Sequence, residues 1–352
     1  MKESSLFRYA VVGLLFTMLA FSCDSEGVIN PTPTPTPTPA NERFLVVGDS
    51  GTILVSDDSG ATFQAVTSGT TATLRGAAAD ADGHCVAVGA GGTVLYSADS
   101  GDTWHAGSCA TTNTIDRVIC YGSGKFVAVG EATGPDPYGI FRSTDGGQNW
   151  DRYAVTVTLR GIGARSDSQF VAVGNVSSLN DSALYLTYTT GASWTLYSAP
   201  SANFPAGAGW LYDAVGTSGG YFVAVGSDGS LYSADGGTWS AGGAVIGKLT
   251  AASWCASSSR LVAVGYGSGG GVSKGRIYYA SSLGTTWTEV NPGTIKFLFD
   301  VADDGNGGLV AVGAAGEVLY SPPPADVHDA GSLWYDGVSG VANELYGVCH
   351  VP

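Results

Sequence analysis

The chain has 352 residues, of which 13% are charged, with 53 Gly and 17 Tyr and a formal charge of −15. So acidic a chain is a poor partner for nucleic-acid backbones or anionic membrane surfaces, and the same charge serves ordinary solubility. Few charges and many glycines suit short strands joined by tight turns and disfavour a fold of long solvated helices.

At the N-terminus, Lys2 and Arg8 precede an apolar run from Tyr9 to Phe21, followed by Ser22 and Cys23. The run has signal-peptide length and is too short for a comfortable transmembrane span. Ala20-Phe21-Ser22-Cys23 resembles a bacterial lipobox, with Ala where Leu is usual. Residues 1–23 are therefore expected to be a lipoprotein-type signal peptide ending at a lipidated Cys23. Ordinary cleavage, giving a secreted protein, and an uncleaved anchor are the alternatives. One lipid-modified cysteine would tether the protein to the bacterial cell envelope, on the periplasmic side or at the cell surface, without spanning it. Residues 24–42 form a linker whose PTPTPTPTP stretch, 31–39, is a semi-rigid spacer of roughly 30 Å.

From residue 43 the chain is a repeat array. A Val-Gly glycine marks each copy: Gly48, Gly89, Gly130, Gly174, Gly226, Gly265 and Gly313, spaced 41, 41, 44, 52, 39 and 48 residues apart. Each ends an apolar strand pattern, such as CVAVG or FVAVG, and a turn and a second strand follow: TILVS (52–56), TVLYS (93–97), GIFRS (139–143), SLYS (230–233) and EVLYS (317–321). A third strand starts at a Thr-aromatic pair such as Thr103-Trp104, and a fourth about fifteen residues before each glycine, at Leu74, Ile115, Leu159, Leu211, Leu249 and Leu298. Four strands in about 40 residues is the period of a propeller blade. The first copy lacks its leading strand and the last has a spare one, Glu344 to Cys349, in which Leu345-Tyr346-Gly347 matches Leu74-Arg75-Gly76. The expected fold is therefore all-β, a seven-bladed β-propeller over 43–352, closed by the C-terminal strand joining the first blade. Closure removes an aggregation-prone edge. An open β-solenoid is the rival.

Ser-x-Asp-x-Gly-x-Thr-Trp, at Ser97/Asp99/Gly101/Thr103/Trp104, recurs as Ser56/Asp58/Gly60/Thr62/Phe63 and Ser143/Asp145/Gly147/Asn149/Trp150, and shortened as Ser233/Asp235/Gly237/Thr238/Trp239. Blades 4 and 6 keep Gly191/Trp194 and Gly284/Thr286/Trp287 without the Asp, and blade 7 carries an insertion before Asp329/Gly331/Trp334. A carboxylate can accept bonds from the amides of a tight turn while Gly supplies φ > 0 and the aromatic packs beneath. The motif resembles the Asp-box, or BNR repeat, of sialidase-type propellers. Together with FVAVG and the glycine turn, it makes nearly all of 43–350 similar to the photosystem II assembly factor group. That resemblance implies a non-enzymatic binding scaffold with an arginine-rich patch. The motif itself reads as structural, with Asp58, Asp99, Asp145 and Asp235 as turn acids and Trp104, Trp150 and Trp239 as turn aromatics.

In such a blade the box turns and the first-to-second strand turns share one face. Insertions gather on the other: 131–138, 175–183, 266–276 and the connection 196–210, bringing Tyr138, Phe204, Trp210 and Tyr266. Variable loops on a rigid scaffold are where binding usually lives. The innermost strands start on this face. Their second residues, Arg75, Asp116, Arg160, Tyr212, Thr250, Phe299 and Tyr346, are expected to ring the channel mouth. Two arginines about an aspartate, with aromatics opposite, suit an anion or a polar peptide. The competing reading of Arg75–Asp116–Arg160 is a structural ion-pair ladder.

Sialidase chemistry needs an arginine triad, Phe/Tyr-Arg-Ile-Pro and a Tyr/Glu pair; Phe141-Arg142 is followed by Ser143-Thr144. Asp116 or Asp213 could act as a general acid only beside a second carboxylate. His84, His105, His328 and His350 lack metal-ligand spacing, and Asp303 to Gly307 reads as a turn, so no metal or cofactor is expected. Five cysteines outside the leader cannot all pair; Cys109–Cys120 is conceivable, and buried thiols are the simpler expectation. The function expected is a lipid-tethered, monomeric scaffold for a protein partner, with no nucleic-acid partner. A glycan-binding or glycoside-hydrolysing propeller and a structural or adhesive surface module are the alternatives.

Overall fold

Each repeat folds as one four-stranded antiparallel sheet, and seven such sheets are described. The computed structural model describes residues 42–352 apart from 133–134, 177–180, 199–208, 270–271, 281–282 and 324–333. The expected signal peptide with Cys23, nearly all of the expected linker, Phe204, Asp329 and Gly331 lie outside the described residues. Blade 1 joins the C-terminal strand Leu345–Val351 to Arg43–Gly48, with Arg43 opposite Val351 and Val47 opposite Gly347, and continues through Ile53–Ser56 and Gln64–Val66. The ring closes as the unequal ends of the repeat array require.

The innermost strands are Leu345–Val351, Leu74–Ala79, Ile115–Gly122, Thr158–Ala164, Leu211–Gly216, Lys248–Cys255 and Leu298–Asp303, for blades 1 to 7 in turn. Beside each runs the Val-Gly strand. All five residues of Cys85–Gly89 are buried, because both faces of the sheet pack on neighbouring blades. Cys85 and Ala87 face blade 1 with Leu45 and Val47, while Val86 and Val88 face blade 3 with Phe126 and Phe141. An unbroken apolar strand is what two-sided burial demands. Each fully buried Phe or Leu in these interfaces contributes about 1.5–3 kcal/mol.

The marker glycine is set by close approach. A Cβ on Gly89 would sit 2.1 Å from Thr73 O, and on Gly130, Gly174 and Gly313 it would meet the equivalent carbonyl at 2.2, 2.0 and 2.0 Å. Gly89 itself has extended φ, −174°. The carbonyl of Thr73 meanwhile accepts from Ala90 N in the next turn, tying the start of the innermost strand to that turn. Among the described residues no helix is long and apolar enough to cross a membrane.

Candidate functional site at the channel mouth

All seven innermost strands carry a register shift at the same place. Leu74 pairs with Gly89 and Gly76 with Val88, so Arg75 is the extra residue of a bulge. The skipped residues in the other blades are Asp116, Arg160, Tyr212, Thr250, Phe299 and Tyr346. A bulge re-aims a side chain out of the ladder. The second position proposed from sequence is thus a backbone feature repeated around the ring.

Six of the seven side chains join one band. Arg160 Nη1 meets Asp116 Oδ2 at 3.0 Å, and Arg75 Nη1 meets Asp116 Oδ1 at 3.7 Å. Arg75 lies 5.5 Å from the Tyr346 ring centroid, and Tyr346 stacks on Phe299 at 5.4 Å. Phe299 meets Tyr266 edge-on at 6.5 Å, and Tyr266 stacks on Phe297 at 4.4 Å. Lys248 Nζ then bridges the rings of Tyr266 and Tyr212 at 4.9 and 5.7 Å. Thr250 instead donates to Val264 O and Leu298 O, joining blades 6 and 7. The Asp116 side chain is 8% exposed, whereas Arg75 and Arg160 are 41% and 36% exposed. Burial pushes the Asp116 carboxyl up from its usual range, against the pull of Arg160 and Arg75. The ion-pair ladder exists, and its two cations still face outward.

Two sequence candidates stand apart from this band. The Tyr138 ring is covered by Arg152 at 4.3 Å and packs on the core between blades 2 and 3. Trp210 is 39% exposed in the connection into blade 5, its amide held by Ser227 Oγ.

One residue deeper lies a layer that the sequence reading passed over. Its members are Gly76, Arg117, Gly161, Asp213, Ala251, Asp300 and Gly347. A Cβ on Gly161 would come 2.3 Å from Asp213 Cα, so small residues here let neighbouring strands close up. Through this layer Arg117 of blade 3 reaches Asp213 of blade 5 at 2.8 Å and Asp300 of blade 7 at 2.7 Å. Each carboxylate also accepts an amide of the next blade, Ala252 N at 3.1 Å and Val348 N at 3.0 Å. Burial and the neighbouring Asp300 push the Asp213 carboxyl up to about 6 against the pull of Arg117, as expected when two buried acids share one cation. Asp213 has its carboxylate partner, but both serve as braces for an arginine. The sequence signal was available: three charged residues, Arg117, Asp213 and Asp300, in a column otherwise of Gly and Ala. Beyond the triad a cavity of about 420 Å³ is lined by residues such as Ala78, Ile119, Val215, Ala302 and Cys349.

The other face is held by local turns. Asp99 accepts from Ser97 Oγ at 2.7 Å, Thr103 N at 2.9 Å and Thr103 Oγ1 at 2.6 Å, and Trp104 Nε1 donates to Gly101 O at 2.9 Å. Asp58, Asp145 and Asp235 repeat the pattern, as do Trp150 and Trp239. Hydrogen bonds from Ser97 and Thr103 hold the Asp99 carboxyl down at about 2. In blade 5 the glycine closing the turn is Gly236 and not Gly237, since Trp239 donates to Gly236 O. Blade 4 substitutes hydroxyls: Thr189 Oγ1 lies 3.2 Å from Thr187 Oγ1 and accepts from Ser193 N. The box turns bond to the first-to-second strand turns, as Ser100 N does to Gly83 O, so both occupy the face away from the mouth.

The same face holds a group that linear spacing missed. Ligand atoms of Asp80, Asp82 and His84 lie within 4.8 Å of one another. Asp80 is already engaged, accepting from Asp82 N, His84 N and Gly124 N and bonding His84 Nδ1. Asp303 and Asp304 likewise turn inward to the amides of Gly305, Asn306 and Gly308, as an ordinary turn does. Cys109 and Cys120 are thiols directed at separate carbonyls, Gly92 O and Gly122 O.

No protein-family model and no curated protein matches the chain. Solved propellers do. The photosystem II assembly factor YCF48 from Cyanidioschyzon merolae is 18% identical, with 77% of this chain and 87% of that one covered and a TM-score of 0.55. The WD40 propeller domain of Doa1 is 12% identical over 77% of this chain and 86% of its own, TM-score 0.55. A chain of the nidogen/laminin complex is 10% identical over 88% and 98%, TM-score 0.53. At these identities the likeness is one of fold, and in fold the chain resembles the assembly-factor propellers as FVAVG and the box turns imply.

Proposed function

We propose that the protein is a non-enzymatic, monomeric binding scaffold, tethered to a bacterial cell envelope through a lipid on Cys23, whose propeller captures a protein partner at the face opposite the box turns. The observation that carries this reading is the ring of seven bulges, which costs seven regular ladder positions and gathers cations and aromatics at one mouth. Arginine and aromatic side chains are enriched where proteins bind proteins. Arg75→Met and Arg160→Met, made singly, are expected to weaken partner capture from a membrane fraction with the melting temperature kept. Unfolding of both variants would instead assign the arginines to the scaffold. Labelling with a fatty-acid analogue, abolished by Cys23→Ser, checks the tether.

One observation favours a second reading, glycoside cleavage. Glu131 Oε1 lies 3.9 Å from Arg160 Nη1, the atom that holds Asp116 Oδ2 at 3.0 Å. The two carboxylates therefore fall within reach of the ~5–10 Å window of glycoside hydrolysis. Arg160 lies between them and Arg75 flanks Asp116, an arrangement that compensates charge where hydrolysis needs an acid free to give up its proton. Reducing ends released from xyloglucan or sialyl oligosaccharides, and lost in Asp116→Asn, would establish this reading over the first.

A further inference from the structure

We infer that the axial cavity beyond the Arg117 triad is a binding site for a linear diamine, with one ammonium held by Asp213 and Asp300 and the other by Asp303. This site is separate from the channel mouth and stands whether or not the scaffold reading does.

The cavity of about 420 Å³ runs from the triad to the box-face ends of the innermost strands, where Ala79, Ala164, Gly216, Asp303 and His350 line it. Its volume falls within the ~300–1,000 Å³ of small-molecule sites. At the triad end two carboxylates, Asp213 and Asp300, share the single cation Arg117, which leaves one negative charge uncompensated. Burial and the neighbouring Asp300 already push the Asp213 carboxyl up to about 6, as a charge short of a partner would be. At the other end stands the half-buried Asp303. Its Oδ2 accepts from Gly305 N, its Oδ1 is buried beside the Cys255 thiol without a hydrogen-bond partner, and no cation among the described residues forms an ion pair with it. His350, the other titratable group at that end, is turned to Glu42, its Nε2 lying 3.1 Å from Oε2. Between the ends the lining side chains are uncharged, among them Ala78, Ile119, Val215, Ser253, Ala302 and Cys349.

The spacing of these charges selects the ligand. Asp300 and Asp303 stand three residues apart on the strand Leu298–Asp303, about 10 Å at ~3.3 Å per residue. A compact metal ion at either end would leave the other uncompensated, and an anion would meet repulsion at both. A neutral ligand supplies no charge-assisted bond. A diamine carries one ammonium to each end and lays its methylenes against the Ala, Val and Ile side chains between them.

The test is calorimetric titration of the full chain with cadaverine, a five-carbon diamine, and with pentylamine, which lacks the second ammonium. Cadaverine is expected to bind at least about tenfold tighter, the gain from one charge-assisted contact. Asp303→Asn and Asp213→Asn, made singly, should each bring the two ligands to parity. Both variants should keep the parent's melting temperature, since asparagine retains the acceptor for Gly305 N or Ala252 N and Arg117 retains Asp300. Arg75→Met, at the channel mouth, should leave the preference for cadaverine intact. Equal binding of the two amines to the parent would overturn the inference. So would displacement of cadaverine by an equal concentration of magnesium ion, or a preference kept in both Asn variants, because either would put the diamine on the acidic outer surface.

Discussion

Replacing Arg117 by Met would leave Asp213 and Asp300, each 4% exposed, as two buried carboxylates without their shared cation. Breaking a buried ion pair from one side costs about 3–5 kcal/mol, because the remaining charge stays buried and uncompensated. For a ring of this size one kcal/mol corresponds to roughly 1.5 °C, so the melting temperature should fall by about 5–8 °C at pH 7. The pH dependence follows from protonation. In the native protein the Asp213 carboxyl is already pushed up to about 6, so the folded state holds a proton that the unfolded chain releases near 4. Its contribution to stability therefore falls as pH rises from about 4 to about 6. Removing Arg117 takes away the pull that lowers the Asp213 carboxyl, so the penalty of the variant should shrink between pH 7 and pH 5 as Asp213 takes up a proton. Arg75→Met is the control: its side chain is 41% exposed and Asp116 keeps Arg160, so the loss should stay within about 1 kcal/mol. Urea unfolding of both variants at the two pH values, alongside Arg117→Met with Asp213→Asn and Asp300→Asn, tests the argument. A variant as stable as the parent, or a penalty equal at both pH values, would show that the triad is solvated and the reasoning wrong.

Other expectations concern the turns. Asp99→Ala removes an acceptor of three hydrogen bonds in an exposed turn and should cost about 1–2 kcal/mol in urea unfolding, with partner capture at the mouth unchanged. Because its carboxyl is held at about 2, the Asp99 contribution is complete above about pH 4 and disappears as pH falls through 2, so Asp99→Asn should flatten the acid limb of the stability curve. Gly89→Ala would drive a Cβ to 2.1 Å from Thr73 O, and should cost about 3 kcal/mol or prevent folding. Gly91→Ala, where the Cβ meets nothing within 4 Å but φ is +64°, should cost only about 1 kcal/mol. Equal costs would count against close approach as the reason for the Val-Gly glycine.

The amino-acid sequence by itself determined the repeat, the blade count, the closing strand and the turn acids. All of these are local or periodic: a serine, an acid and a threonine or asparagine four residues from that acid meet in any chain that makes the turn, as Asp58, Asp99 and Asp145 each do. The ring of second-position residues was legible for the same reason, since one backbone irregularity recurs seven times. The sequence could not show that each of those residues is a bulge, because a bulge is a mismatch between two strands. Nor could it bring Arg117 to Asp213, 96 residues away, and to Asp300, or set Lys248 between the rings of Tyr212 and Tyr266. Those contacts depend on which blades lie across the channel and which stand side by side. Only the closed ring decides that, since an open solenoid of the same repeats would leave blade 3 far from blade 7.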